Sequence, residues 1–171
     1  MLLHLDKILK TSLVVASVSL FSGCFSSSKN YNYGGVFAPK DRSSIHVPEQ
    51  KIKNSEAMHR ATMRPYQVFG KWYYPTLAKV GDTQVGISSW YGPKFHAKTT
   101  SNGEIYNMYK ATAAHKTLPM NTMLKVENLE NGKSTIVRIN DRGPFVGSRI
   151  IDLSNKAARD IDMVAKGTAK V

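Results

Sequence analysis

Two stretches of the chain alternate apolar and polar side chains with period two: Met123-Leu124-Lys125-Val126-Glu127-Asn128 and Ser134-Thr135-Ile136-Val137-Arg138-Ile139. That is the repeat of a β-strand with one buried face. Glu130-Asn131-Gly132-Lys133 lies between them, and Asn-Gly is the pair a type I′ turn favours, so the two stretches read as a hairpin. Gln84 to Tyr91 predicts a further strand with Val85, Ile87 and Ser89 on one face, and Ala111 to His115 a strand of small residues closed by an imidazole. Helical spacing shows near the C-terminus, where Ala157, Ala158 and Ile161 share a face behind Ser154, a good N-cap. Gly167 ends that element, and Thr168 to Val171 begins a last strand.

Upstream of these elements the pattern changes. Arg64 to Leu77 alternates aromatic and polar residues around Gly70, which predicts an aromatic strap or short hairpin within residues 64–82. Residues 24–63 show no hydrophobic period and are broken by Gly34-Gly35, Pro39 and Pro48, so they read as a flexible tether. A coil of that length spans ~35 Å on average and ~130 Å when stretched. Tyr31, Tyr33 and Phe37 are the part of it most able to coat the domain. The remaining chain, residues 83–171, is enough for one compact core and too short for two domains.

Residues 1–23 read as a lipoprotein signal peptide. Lys7 and Lys10 precede an apolar run, Thr11 to Phe21, that is too short to span a bilayer. Leu20-Phe21-Ser22-Gly23-Cys24 has the small residues that signal peptidase II needs before an acylated cysteine. Cys24 is the only cysteine, which excludes an intramolecular disulfide. Acyl chains at about 0.8 kcal/mol per buried methylene give stable membrane anchoring. Phe25 stands where an Asp would retain the protein in the inner membrane, so the expected location is the outer membrane, facing the periplasm.

The chain carries 24 Lys and Arg against 12 Asp and Glu. Removing Lys7, Lys10 and Asp6 with the leader leaves 22 against 11, still strongly basic. Basic chains favour polyanions. Nucleic acid is not expected for an exported lipoprotein, whereas peptidoglycan stem-peptide carboxylates and lipid headgroups are at hand.

Candidate chemistry sits on turns. Asp141, in Asn140-Asp141-Arg142-Gly143-Pro144, ends a strand, where a sheet can hold a carboxylate rigid yet reachable. Arg142 beside it either lowers its proton affinity or grips substrate. Glu104 follows Asn102-Gly103 in a polar loop and is the candidate neighbouring carboxylate. Both blocks are also what ordinary solvated turns look like. His115 is placed either to orient a carboxylate or simply to end its strand. Trp90 and Tyr91 form a platform of the kind sugars stack on, with alternation sending one inward and leaving the other free. His96 and His115 lack metal-ligand spacing, so neither metal nor cofactor is expected.

Taken in order, four blocks resemble the rare lipoprotein A family of lytic transglycosylases: Gly86 to His96, Thr100 to Met108, Thr112 to Pro119 and Val137 to Pro144, continued by Arg149-Ile150-Ile151-Asp152-Leu153-Ser154. The resemblance covers residues 64–171 and the lipoprotein signal. It implies a mainly β fold: a small six-stranded double-psi β-barrel with one or two short helices, preceded by the tether. It places Asp141 and Glu104 on the family's essential acidic positions and His115 on an associated histidine, with Trp90, Tyr91, Asn102 and Arg142 as substrate-binding candidates. Ala97 and Lys98 stand where the family more often has Gly and Arg, and Ser101 where it has Ala. No C-terminal SPOR module, the peptidoglycan-binding domain of many relatives, is seen.

The activity implied is cleavage, endo- or exo-acting, of the MurNAc–GlcNAc β-1,4 bond without water. Asp141 gives a proton to the departing oxygen and recovers one from the muramyl C6 hydroxyl as it closes on C1. Glu104 would raise the pKa of Asp141 or stabilise the positive charge at the sugar, and His115 would orient one of the two. The alternative is a non-catalytic, expansin-like peptidoglycan-binding envelope lipoprotein.

Overall fold

The computed structural model describes residues 41–171. The leader, Cys24 and the first part of the tether lie outside the described residues. In chain order the elements are α1 (Glu56–Thr62), β1 (Tyr66–Val68), β2 (Lys71–Tyr73), β3 (Ile87–Trp90), a 3₁₀ turn (Pro93–Phe95), β4 (Thr112–His115), β5 (Met123–Glu127), β6 (Ser134–Asp141), β7 (Ile151–Leu153), α2 (Asn155–Asp160) and β8 (Thr168–Lys170). Strands β3 to β8 form one curled six-stranded sheet in the order β5-β6-β4-β7-β3-β8, the sheet of a double-psi β-barrel. Two pairs within it, β3 with β7 and β4 with β6, are parallel.

Register decides which residues reach the core. Ala113 lies opposite both Ile139 and Leu153, and Leu153 lies opposite Trp90. Cross-strand partners share a face, and this is the core face: Ala113, Ile139 and Leu153 are fully buried. Helix α2 closes over it with Ala157 and Ala158, followed by Ile161, and the Ser154 hydroxyl accepts from the Ala157 amide as an N-cap should.

The β5–β6 hairpin forms, but its turn is not type I′. Asn128 N–H bonds to the Lys133 carbonyl at 2.8 Å, leaving four residues in the loop, of which only Gly132 has positive φ, at 73°. A type I′ turn joins strands through two residues, both left-handed. Here Asn131 instead turns its side chain to the Lys133 amide and the Ile161 carbonyl.

Residues 41–63, which the sequence reads as tether, lie against the domain. Arg42 donates to the carbonyls of His96 and Ala97, and Gln50 exchanges two hydrogen bonds with Ile105. The Lys53 amide donates to Glu104 and Asn121 to the Lys53 carbonyl. Helix α1 begins at Ser55, whose hydroxyl caps the Met58 amide. Val47 is buried and Met58 packs on the core, but the rest of the docking is polar, so no hydrophobic period announces it. Next along the chain, β1 and β2 form a hairpin whose Tyr66 and Tyr73 stack at 5.3 Å, both set edge-on to Phe145.

Candidate active site

Asp141 owes its orientation to a bulge. Ala113 pairs with Ile139, but Ala114 pairs with Asp141, so Asn140 is an extra residue in β6. Without it, alternation would turn Asp141 toward the core with Ile139. The inserted residue flips it to the outer face, the device by which bulges re-aim functional side chains. There its Oδ1 accepts three hydrogen bonds: from the Ser101 amide at 2.9 Å, the Ser101 hydroxyl at 2.6 Å and the Arg142 amide at 2.8 Å. Its Oδ2 receives none within the described residues. Asp141 lines a small cleft of about 100 Å³ with Tyr91, Phe95, Lys98, Thr100 and Tyr106.

Three aromatic rings wall that cleft. Tyr91 lies 5.2 Å from Tyr106 and 5.4 Å from Phe95 between centroids. Among the described residues the buried Tyr91 hydroxyl finds no hydrogen-bond partner. Burial and the nearby Asp141 carboxylate push both phenols far above the ordinary range, and Asp152 adds to the effect at Tyr91. Trp90 is different: opposite Leu153 it packs on the core, so of the two neighbouring rings only Tyr91 lines the cleft.

Glu104 does not stand free beside Asp141. Its Oε1 accepts from Arg138 at 3.0 Å and the Lys53 amide at 3.1 Å; its Oε2 accepts from Arg138 at 2.8 Å and Asn140 at 3.2 Å. Burial works to raise its proton affinity, but these donors prevail and hold the carboxyl below the usual range. With both oxygens occupied by a forked guanidinium and two amides, Glu104 fastens the 100–104 loop to β6. Ser101 rides on that loop, so Glu104 serves Asp141 by position. Asn102 works within the same loop, its Oδ1 accepting from the Thr100 hydroxyl at 2.7 Å and the Glu104 amide at 3.2 Å.

His115 reaches neither carboxylate. Two residues on from Ala113, it faces the core side, while Ala114 shares the outer face with Asp141. Its Nδ1 accepts from the Thr117 and Leu118 amides at 3.2 and 3.1 Å, which leaves Nε2 to donate to Gln84 at 3.2 Å. Burial first, then the charges of Arg142 and Lys116, lower its pKa to about 4, so the ring is neutral. The turn it holds presents the His115 and Leu118 carbonyls to Arg142, whose guanidinium donates to them at 3.2 and 2.5 Å and to the Thr62 carbonyl at 2.8 Å. Arg142 is thus committed to three backbone carbonyls rather than to substrate.

Residues 83–171 match the family described as lytic transglycolase. The chain belongs to that family. It is 72% identical over 120 residues to the endolytic peptidoglycan transglycosylase RlpA of Helicobacter pylori strain J99, covering 70% of this chain and 38% of the relative. The proteins of the same name from Campylobacter jejuni and Pseudomonas aeruginosa strain UCBPP-PA14 are 52% and 40% identical over 95% and 98% of this chain, and 58% and 55% of their own length. The chain therefore spans about half the length of these relatives.

In this lytic transglycolase domain, sequence reasoning passed over Arg138, Asn140, Ser101 and Asp152. Arg138 looks like any polar residue of an alternating strand, and Asn140 like part of a turn. Asp152 did leave a signal, a carboxylate set among Ile150, Ile151 and Leu153.

Proposed function

We propose that this chain is a lytic transglycosylase that cleaves the MurNAc–GlcNAc β-1,4 bond of peptidoglycan and leaves 1,6-anhydroMurNAc ends. The observation that carries the reading is Asp141: a carboxylate held through one oxygen at a strand end, its other oxygen accepting no hydrogen bond among the described residues, beside an aromatic cleft in a lytic transglycolase domain. One carboxylate can serve both proton transfers in turn. It donates to the GlcNAc O4 as the C1–O4 bond breaks, and accepts from the C6 hydroxyl as O6 bonds to C1. The nucleophile belongs to the substrate, so no water is consumed. Tyr91, with Phe95 and Tyr106, supports the sugar. Endolytic cleavage follows the relatives' name, and the place in the cell is wall remodelling or daughter-cell separation.

The deciding experiment is mass spectrometry of fragments released from purified sacculi by residues 25–171, with Asp141→Asn alongside. Anhydromuramyl ends made by wild type and not by the variant support the reading. Reducing ends indicate a hydrolase instead. Binding without release indicates the expansin-like alternative.

We also propose that Cys24 is acylated and anchors the protein in the outer membrane, facing the periplasm. Palmitate labelling abolished by Cys24→Ala, with fractionation into the outer membrane, is the expected result; labelling that survives the substitution overturns the anchor.

A further inference from the structure

The register that turns Asp141 outward brings a second carboxylate to the same face. Ala114 lies opposite Asp141 on one side and Asp152 on the other, and Asp152 lies opposite Ser89. Cross-strand partners share a face, so Asp141, Ala114, Asp152 and Ser89 form one row across β6, β4, β7 and β3. Two strand spacings separate the Cα atoms of the two aspartates, about 9–10 Å. The residue between them is an alanine, over which Gly143 packs without a side chain of its own. No bulky group of the sheet stands between the two carboxylates. Tyr91 follows this row directly along the chain, its amide donating to the Leu153 carbonyl at 2.9 Å, and both carboxylates oppose the ionisation of its phenol.

We infer that Asp152, and not Glu104, is the second carboxylate of the active site, an anion that stabilises the positive charge developing on the muramyl ring as the glycosidic bond breaks. The inference rests on the transglycosylase reading above.

The two candidates differ in how their oxygens are used. Glu104 has both engaged by four donors. Asp152 is held through Oδ1 alone, by the Ser89 hydroxyl and by Arg149 at 3.3 Å. Its Oδ2 accepts no hydrogen bond within the described residues. Arg149 is itself tied to Ser89 and to the Val146 carbonyl, and Lys116 donates to the Arg149 carbonyl at 2.5 Å, so the carboxylate is gripped from one side by a built cluster. Burial raises the proton affinity of Asp152, against the pull of Ser89, Arg149 and Lys116. The same poorly solvated setting makes an ionised carboxylate act strongly on a nearby cationic sugar, because little water reorganises around it.

The test compares Asp152→Asn and Asp152→Glu with wild type, reading kcat on sacculi, sacculus binding, melting temperature and the pH–rate profile. Asp152→Asn is expected to lose about 10²–10³-fold in kcat. Binding stays intact and the pH–rate profile keeps its shape, since Asp141 still handles the protons. Asp152→Glu keeps the charge one methylene away and is expected to retain more activity than Asn despite fitting the site less well. A merely structural aspartate gives the opposite order, because Asn is the isostere. Asn equal to or better than Glu overturns the inference, as does wild-type turnover in Asp152→Asn or the loss of one limb of the pH profile. A wild-type protein that binds sacculi and releases nothing overturns the transglycosylase reading and this inference together; the variant results, taken against an active wild type, overturn this inference alone.

Discussion

Ser101 gives both its amide and its hydroxyl to a single oxygen of Asp141, at 2.9 and 2.6 Å. Forty residues apart in sequence, the two are joined because Glu104, three residues on, is clamped to β6 by Arg138 and Asn140. The loop and the strand end thus form one rigid unit around the carboxylate. Removing the hydroxyl leaves both amide donors in place. Ser101→Ala is therefore expected to lower kcat by no more than about 10-fold, whereas Asp141→Asn loses about 10²–10⁴-fold. Release of soluble muropeptides from sacculi measures both. Equal losses would mean that the hydroxyl itself takes part in the chemistry.

Glu104→Gln leaves the half-buried Arg138 without its counter-charge. Breaking such a pair is expected to cost about 3 kcal/mol of stability, read from urea unfolding, with activity lost in step as the Ser101 loop loosens. The carboxyl has a lowered pKa in the folded state, so its stabilisation is complete above its unfolded pKa and drains away as pH falls through the folded value. Wild type therefore weakens in acid more steeply than Glu104→Gln. Parallel acid titrations of the two proteins contradict this account.

His115 supplies a second acid-sensitive step. Its folded pKa is about 4 against 6.5 for the free group. Between those values the unfolded chain binds the proton and the folded one does not, so stability is full above pH 6.5 and falls as pH drops toward 4. The loss amounts to about 3 kcal/mol. His115→Asn can offer a carbonyl oxygen to the Thr117 and Leu118 amides but cannot titrate. Its unfolding free energy is expected to vary less than that of wild type between pH 6.5 and 4; an unchanged slope refutes the assignment.

Arg142→Ala tests whether this guanidinium holds structure or sugar. It satisfies three backbone carbonyls at the junction of α1, the turn after β4 and β6. Its loss is expected to lower stability by about 3 kcal/mol, through stranded carbonyls and lost packing. Arg142→Lys rescues little, because an ammonium cannot span the fork. A weaker affinity for sacculi with an unchanged melting temperature would return Arg142 to the substrate.

Much of the fold was legible because its signals are local. Period two marked β5 and β6, and the structure pairs them from Met123↔Arg138 to Glu127↔Ser134. Ser154 announced the cap of α2, although the helix ends at Asp160 with Ile161 as its C-cap and does not run on to Gly167. Even Ile87 and Ser89 share a face as the alternation predicts, although that face is the outer one and leaves Ile87 39% exposed. Helix α1 was hidden among polar residues, where only Ser55 and Glu56 marked its start.

The candidate site was legible in its members and not in their relations. Asp141, Glu104, His115 and Tyr91 could each be named from residue chemistry and family resemblance. What each one touches could not. A strand repeats every two residues, so one inserted residue exchanges its faces. Nothing in Ile139-Asn140-Asp141 says that Asn140 is the inserted one until β6 is laid against β4. That single slip puts Asp141 in a row with Asp152 and away from His115. Sequence determined which segments become strands, where helices start and which family the ordered blocks belong to, because propensity, capping and period act over a few residues. Only the tertiary structure decided which carboxylate is free and which is clamped, because that depends on register between strands distant along the chain.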